Sequence, residues 1–192
     1  MNIKHNVLAL ILTSLLISLQ GCVGVATVAV VSGASIVTDH RTISKQIDDQ
    51  TIEFNASTRI SENVILQEQT NLHLVCINGA ILIIGQAPNS YLRDLAIKEV
   101  SSIEGVQKVH NQIRIGNTTA FTTRSNDVWL TSKVKTALFS SDTLNPTNIK
   151  VITENSEVFL MGIVSQEEAN EAVDIARNIS GVNRVFMAFE YQ

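Results

Sequence analysis

Apolar and polar positions along this chain change character three times. Val7 to Leu19 (VLALILTSLLISL) is about 13 residues of nearly unbroken hydrocarbon, and Val23 to Val37 is a second uncharged stretch rich in Gly, Ala and Val. Beyond about residue 46 the pattern turns periodic and alternates between helical and extended spacing. The spacing predicts a helix from Asp48 to about Gln67, strands at Leu72–Ile77 and Ala80–Ile84, a helix over roughly Ser90–Ser102 and a strand at Val109–Ile115. Asn78-Gly79 between the first two strands is a strong hairpin signal, because both residues accept the positive φ of a tight two-residue turn. The order then recurs: a helix at Asp127–Ser141, strands at Ile149–Glu154 and Glu157–Met161 around Asn155-Ser156, a helix over Gln166–Ile179 and a strand at Arg184–Tyr191. Ser165-Gln166-Glu167-Glu168 has capping-box spacing. Gly105 and Gly181 fall just past the second helix of each copy, where the left-handed conformation is needed. Asp48-Asp49 and Glu167-Glu168 read as helix-start acids that complement the N-terminal dipole.

The recurrence extends to residue types. Asn78-Gly79-Ala80-Ile81-Leu82-Ile83-Ile84-Gly85 is echoed by Asn155-Ser156-Glu157-Val158-Phe159-Leu160-Met161-Gly162, and Ile103-Glu104-Gly105-Val106-Gln107-Lys108-Val109 by Ile179-Ser180-Gly181-Val182-Asn183-Arg184-Val185. A period of about 76 residues means two copied small domains rather than a solenoid of short repeats. The expected class is α+β, with each copy ordered α-β-β-α-β and its two helices packed on a three-stranded sheet. The boundaries read as 46–116 for the first module, 117–124 (NTTAFTTR) for the link and 125–192 for the second module. A link this short keeps the modules close. Whether they touch stays open at this level.

Charge and cysteine usage narrow the class. The chain has 14 basic and 18 acidic residues; without Lys4 and the rest of residues 1–21 the balance is 13 − 18 = −5. A mildly acidic body argues against nucleic acid as a partner. The apolar run at Val7–Leu19 is too short to span a bilayer and suits a signal-peptide core. It ends in Leu19-Gln20-Gly21-Cys22, which resembles the bacterial lipoprotein signal. That resemblance implies a signal peptide at 1–21 and lipidation of Cys22, the new N-terminus, by palmitate-like acyl chains. An ordinary secretory signal with an incidental cysteine is the alternative. Val23 stands where an aspartate would favour the inner membrane, so the implied destination is the periplasmic face of the outer membrane. The 22–45 leader reads either as an apolar patch, against the first module or the membrane interface, or as a weakly ordered tether. Cys76 is the one other cysteine; it has no disulfide partner and sits in an apolar run, as a buried, inert thiol does.

The element order, the glycine closing each second strand and the hydrophobic-x-Gly-Val-x-x-Val endings resemble the BON domain. Two such modules behind a lipoprotein signal resemble the dual-BON lipoproteins of the outer membrane, which implies a lipid-binding role in membrane integrity, envelope stress and cell division. BON modules share no single ligand, so fold alone does not give function.

No catalytic set is present. His40, His73 and His110 are scattered, and the sequence has no H-E-x-x-H, G-x-S-x-G or phosphate-loop pattern. Neither an enzyme, a cofactor nor a metal is expected. The chemistry concentrates in the first helix of the second copy. At about 100° per residue, Leu130, Val134, Ala137 and Leu138 share one side and should face the sheet. Val128, Trp129, Ser132, Thr136 and Phe139 fall opposite, flanked by Lys133 and Lys135. An exposed apolar face rimmed by lysines suits a helix lying in the headgroup region of a membrane. The resemblance implies an anionic phospholipid, phosphatidylglycerol or cardiolipin. The matching helix of the first copy carries Asp48, Asp49, Glu53 and Glu62 against a lone Arg59, which such a surface would repel. Three readings compete. Trp129 and Phe139 could instead complete a core or a module interface; the modules could dock envelope proteins, with Trp129 as the hot spot; or the protein could perturb membranes, as the haemolysin label of some similar proteins implies. Against the last, the chain has no long amphipathic or pore-forming segment.

Overall fold

Each module is built from an amphipathic helix, a hairpin, a second helix and a closing strand. The computed structural model describes residues 43–192; Cys22 and the readings of the leader lie outside the described residues. In the first module α1 is Ile43–Glu62, α2 Val64–Gln69, β1 Asn71–Ile77, β2 Ala80–Ala87, α3 Ser90–Ser101 and β3 Lys108–Ile115. In the second, α4 is Phe121–Phe139, β4 Ile149–Glu154 after a single 3-10 turn, β5 Glu157–Val164, α5 Gln166–Arg177 and β6 Arg184–Tyr191.

Local chemistry explains the elements and two departures from expectation. The predicted Asp48–Gln67 helix is two helices: the chain breaks at Asn63, whose side chain accepts from the Leu66 amide and caps α2. Both leading helices also begin earlier than expected, α1 at Ile43 and α4 at Phe121, inside the stretch read as the link. Asp48 and Asp49 are therefore not helix-start acids. The capping box at α5 forms as read: the Glu168 amide donates to Ser165 Oγ at 3.1 Å, and the Ser165 amide to Glu168 Oε2 at 2.8 Å. Asn78 (φ 51°), Gly79 (φ 75°), Asn155 (φ 52°) and Ser156 (φ 62°) turn the hairpins in the left-handed region. In both sheets the hairpin is antiparallel and the last strand pairs in parallel with the second, so β2 and β5 are central. Gly85 and Gly162 are obligatory there: an added Cβ would stand 1.9 Å from the Asn71 carbonyl oxygen or 2.1 Å from that of Asn148.

Each sheet has one face under its helices. Ile52, Ala56 and Ile60 of α1 and Leu92, Ala96 and Val100 of α3 cover Cys76, Ile81, Ile83 and Ile113. In the second module Val134 and Leu138 of α4 and Ala169, Ala172 and Ala176 of α5 cover Val151, Val158 and Leu160. Of the four residues expected to face the sheet, Leu130, Val134 and Leu138 are buried and Ala137 is half-buried.

The other faces of the sheets meet each other. Val75, Ile77, Leu82 and Ile84 pack with Phe159 and Met161, edged by Ile152, Ile163 and Phe186. This makes four layers, helix–sheet–sheet–helix, and answers the open question of contact: the modules share a core. The Phe159 and Phe186 rings stack with centroids 5.0 Å apart, and Arg114 and Arg184 lie over Phe186 at 5.7 and 5.5 Å. Polar pairs close the seam: Gln86 Nε2 donates to Glu154 Oε1 (2.6 Å), Asn78 Nδ2 to Glu190 Oε2 (2.8 Å) and Arg114 to Glu157 (2.7 Å). At 1.5–3 kcal/mol per buried apolar side chain, separating the sheets would cost on the order of 10 kcal/mol.

Candidate membrane-facing helix

Asp127 anchors α4. It is buried, points at the second hairpin, and accepts the amides of Asn155 (2.8 Å) and Ser156 (2.8 Å). Asp49 does the same for Asn78 (2.8 Å) and Gly79 (2.9 Å) in the first module. These acids hold helix to turn, a role the sequence reading did not give them. With Asp127 fixed and Leu130, Val134 and Leu138 in the core, the rotation of α4 is set.

The opposite side of α4 is unusually apolar for a solvent-facing surface. Val128 (69% exposed), Trp129 (62%), Phe139 (62%) and Phe121 (76%) all project outward. Ser132 and Thr136 lie among them, and their hydroxyls donate to the carbonyls of Val128 (3.0 Å) and Ser132 (2.9 Å). Turned onto the helix backbone, these hydroxyls lose less on dehydration than free ones would. Arg124 and Lys135 are exposed along one flank. Lys133, on the other flank, is half-buried and donates to the Ser180 carbonyl at 2.9 Å, tying α4 to the loop after α5. Asp127 is the single acid of α4, and it faces inward. The result is a strip about 27 Å long, at 1.5 Å per residue, apolar along its centre and cationic at its edge.

Six of the seven residues predicted for this site, Val128, Trp129, Ser132, Lys135, Thr136 and Phe139, come together on the outward face; Lys133 is diverted to Ser180. The reading that buries Trp129 and Phe139 in a core or module interface fails among the described residues, because the modules meet through their sheets. Phe121 and Arg124 extend the strip by two turns and were missed. Threonine-rich NTTAFTTR has weak helix propensity and Ala120 supplies no side-chain cap, so the helix start carries little local signal.

The corresponding face of α1 differs. Ile47 and Phe54 are exposed there, but the helix also exposes Asp48, Gln50 and Glu62, and Glu53 pairs with Lys150 across the seam at 3.2 Å. Cys76 is buried against Asp49, and burial, reinforced by that carboxylate, pushes its thiol up to about 12, which makes it a poor nucleophile. Among the described residues no helix is long and apolar enough to cross a membrane.

Residues 48–117 and 126–191 each match the BON domain family. The outer membrane lipoprotein DolP of Haemophilus influenzae is 40% identical over 181 residues, covering 94% of each chain. A 21 kDa hemolysin of Actinobacillus pleuropneumoniae is 36% identical over 153 residues, covering 80% of this chain and 79% of the relative. The osmotically-inducible protein Y of Escherichia coli is 43% identical over 61 residues, covering 31% and 30%.

Proposed function

Because the chain belongs to the BON domain family, in which fold does not dictate ligand, we propose from its surface that it is a lipid-anchored protein of the outer membrane, facing the periplasm, whose second module lays α4 on anionic phospholipid. One observation carries the reading. The outward face of α4 combines four exposed apolar side chains with a cationic flank and no exposed acid. Apolar groups enter the headgroup boundary, and Arg124 and Lys135 meet phosphates at about 1 kcal/mol per basic residue. Phosphatidylglycerol and cardiolipin supply that charge. Acyl chains on Cys22 would hold the protein at the surface, so α4 need only orient it and select where on the membrane it dwells. The likeness to an outer membrane lipoprotein supports this setting, and the proposal extends to a role in membrane integrity and at division sites.

The test uses residues 37–192, whose described part, 43–192, lies in one compact unit, with vesicles of phosphatidylglycerol and of phosphatidylcholine. Trp129→Glu should leave the fold intact and weaken binding to the anionic vesicles at least tenfold. Phe54→Glu, on the corresponding face of the first module, should not. Lys135→Glu should weaken binding in a way that fades as salt rises. If Trp129→Glu unfolds the module, or binds as the parent does, the α4 reading is wrong.

A further inference from the structure

Below the C-terminal half of α4 is a cleft of about 220 Å³ lined by Lys135, Leu138, Phe139, Pro146, Thr147, Ile149 and Val151. The first module has its counterpart, about 250 Å³, lined by Ser57, Ile60, Ser61, Thr70, Leu72 and Leu74 among others. Six lining positions correspond between the two. The helix offset is that of the anchoring acids, 127 − 49 = 78, which carries Ser57, Ile60 and Ser61 onto Lys135, Leu138 and Phe139. The strand offset, from Asn78 to Asn155, is 77 and carries Thr70, Leu72 and Leu74 onto Thr147, Ile149 and Val151. The fold therefore builds this cleft twice with an aliphatic floor. On the helix side the rims differ: two serines in one copy, a cation and an aromatic ring in the other.

Deepening the membrane reading above, on which it rests, we infer that the cleft of the second module seats a segment of one acyl chain of an anionic membrane phospholipid, with the phosphate at Lys135. The floor of Leu138, Ile149 and Val151 has no side-chain polar atom to satisfy a headgroup, so the chain goes inward and the phosphate stays at the rim. At 220 Å³ the space is below the 300–1,000 Å³ typical of sites that enclose a whole small molecule, and fits part of a chain. No carboxylate lines it to oppose the phosphate. Lysine, a compact charge on a flexible stem, can follow a mobile headgroup. Lys135 and Phe139 also belong to the outward strip of α4, so the cleft opens where the proposed membrane surface lies. The second module then holds individual lipids as well as resting on their headgroups.

The experiment is methyl-resolved NMR of residues 37–192, titrated with dihexanoyl-phosphatidylglycerol below its micelle-forming concentration, with vesicle binding measured in parallel. Saturable shifts of the Leu138, Ile149 and Val151 methyls are expected, weaker with dihexanoyl-phosphatidylcholine. Lys135→Ser with Phe139→Ser, which copies the first module's rim, should abolish them. Ser57→Lys with Ser61→Phe, at exposed positions, should create matching shifts at Ile60, Leu72 and Leu74. Shifts confined to the Val128 methyls, with vesicle binding intact, would overturn the cleft proposal and leave the membrane face standing. Loss of vesicle binding as well would remove both. If the acylated full-length protein shows the cleft methyls already shifted without added lipid, the occupant is its own anchor and the assignment to a membrane phospholipid falls.

Discussion

Replacing Asp127 by alanine removes both acceptors that hold the second hairpin turn against α4. Each is a charge-assisted bond to a backbone amide at 2.8 Å, a class worth about 1.5–3 kcal/mol. Their full sum overstates the loss: Asn155 is exposed and Ser156 half-buried, so water can reach the freed amides. The expected destabilisation is about 2–3 kcal/mol, below the roughly 3–6 kcal/mol to which two such bonds would sum. For a cooperative unit of this size that lowers the melting temperature by about 5–10 °C. Urea and thermal unfolding followed by far-UV circular dichroism measure it, with the Asn155 and Ser156 amide resonances reporting the bonds themselves. Asp127→Asn should recover less than half of the loss, because its amide nitrogen would confront one of the two donors. A change below about 0.5 kcal/mol in Asp127→Ala, with both amides still shifted downfield, would refute the clamp and free the rotation of α4 that the membrane face depends on.

Phe159→Ala, in the shared core, should cost about 3–5 kcal/mol and reduce hydrogen-exchange protection in both modules together; loss confined to the second module would refute the stacked sheets. His110 is held below its ordinary value of 6.5, first by burial and then by Lys108, with Glu190 opposing. The folded state thus binds its proton less readily than the unfolded chain, so stability is intact above about pH 6.5 and falls as the pH drops below it; His110→Gln should flatten that decline in a pH series of urea melts. Cys22→Ala should block acylation, and radiolabelled palmitate still entering that variant would refute the anchor.

Features carried by neighbouring residues were legible in the sequence. The hairpin pairs, the capping box and the inward face of α4 each depend on spacing within a few positions, and each forms as read. What was lost depends on distance. Asp49 and Asp127 take their role from turns about 28 residues downstream; the neighbours of Asp49 suggested only a helix dipole, and Asp127 read as no more than the start of its helix. Phe121 and Arg124 were hidden because the threonine-rich link has weak helix propensity and Ala120 offers no side-chain cap, so nothing local marks where α4 begins. The stacking of the sheets did leave a trace: Ala80–Ile84 and Val158–Met161 are continuously apolar, whereas a strand covered on one face alternates. Exposure of Trp129 follows from the same stacking, since the modules spend their sheets on each other and leave the helices outward.

That stacking also bears on why the module occurs twice. A solitary copy would present Val75, Ile77, Leu82 and Ile84, or Phe159 and Met161, to water as an apolar sheet face. Such a surface invites aggregation unless a partner is always at hand. Duplication within one chain supplies the partner at fixed stoichiometry and high effective concentration. Once each copy serves as the other's missing half, neither helical layer is needed to close the core of its sister. Selection can then act on the two layers separately, and they have diverged: α1 exposes Asp48 and Glu62 as well as Ile47 and Phe54, while α4 exposes cations and aromatic rings and no acid.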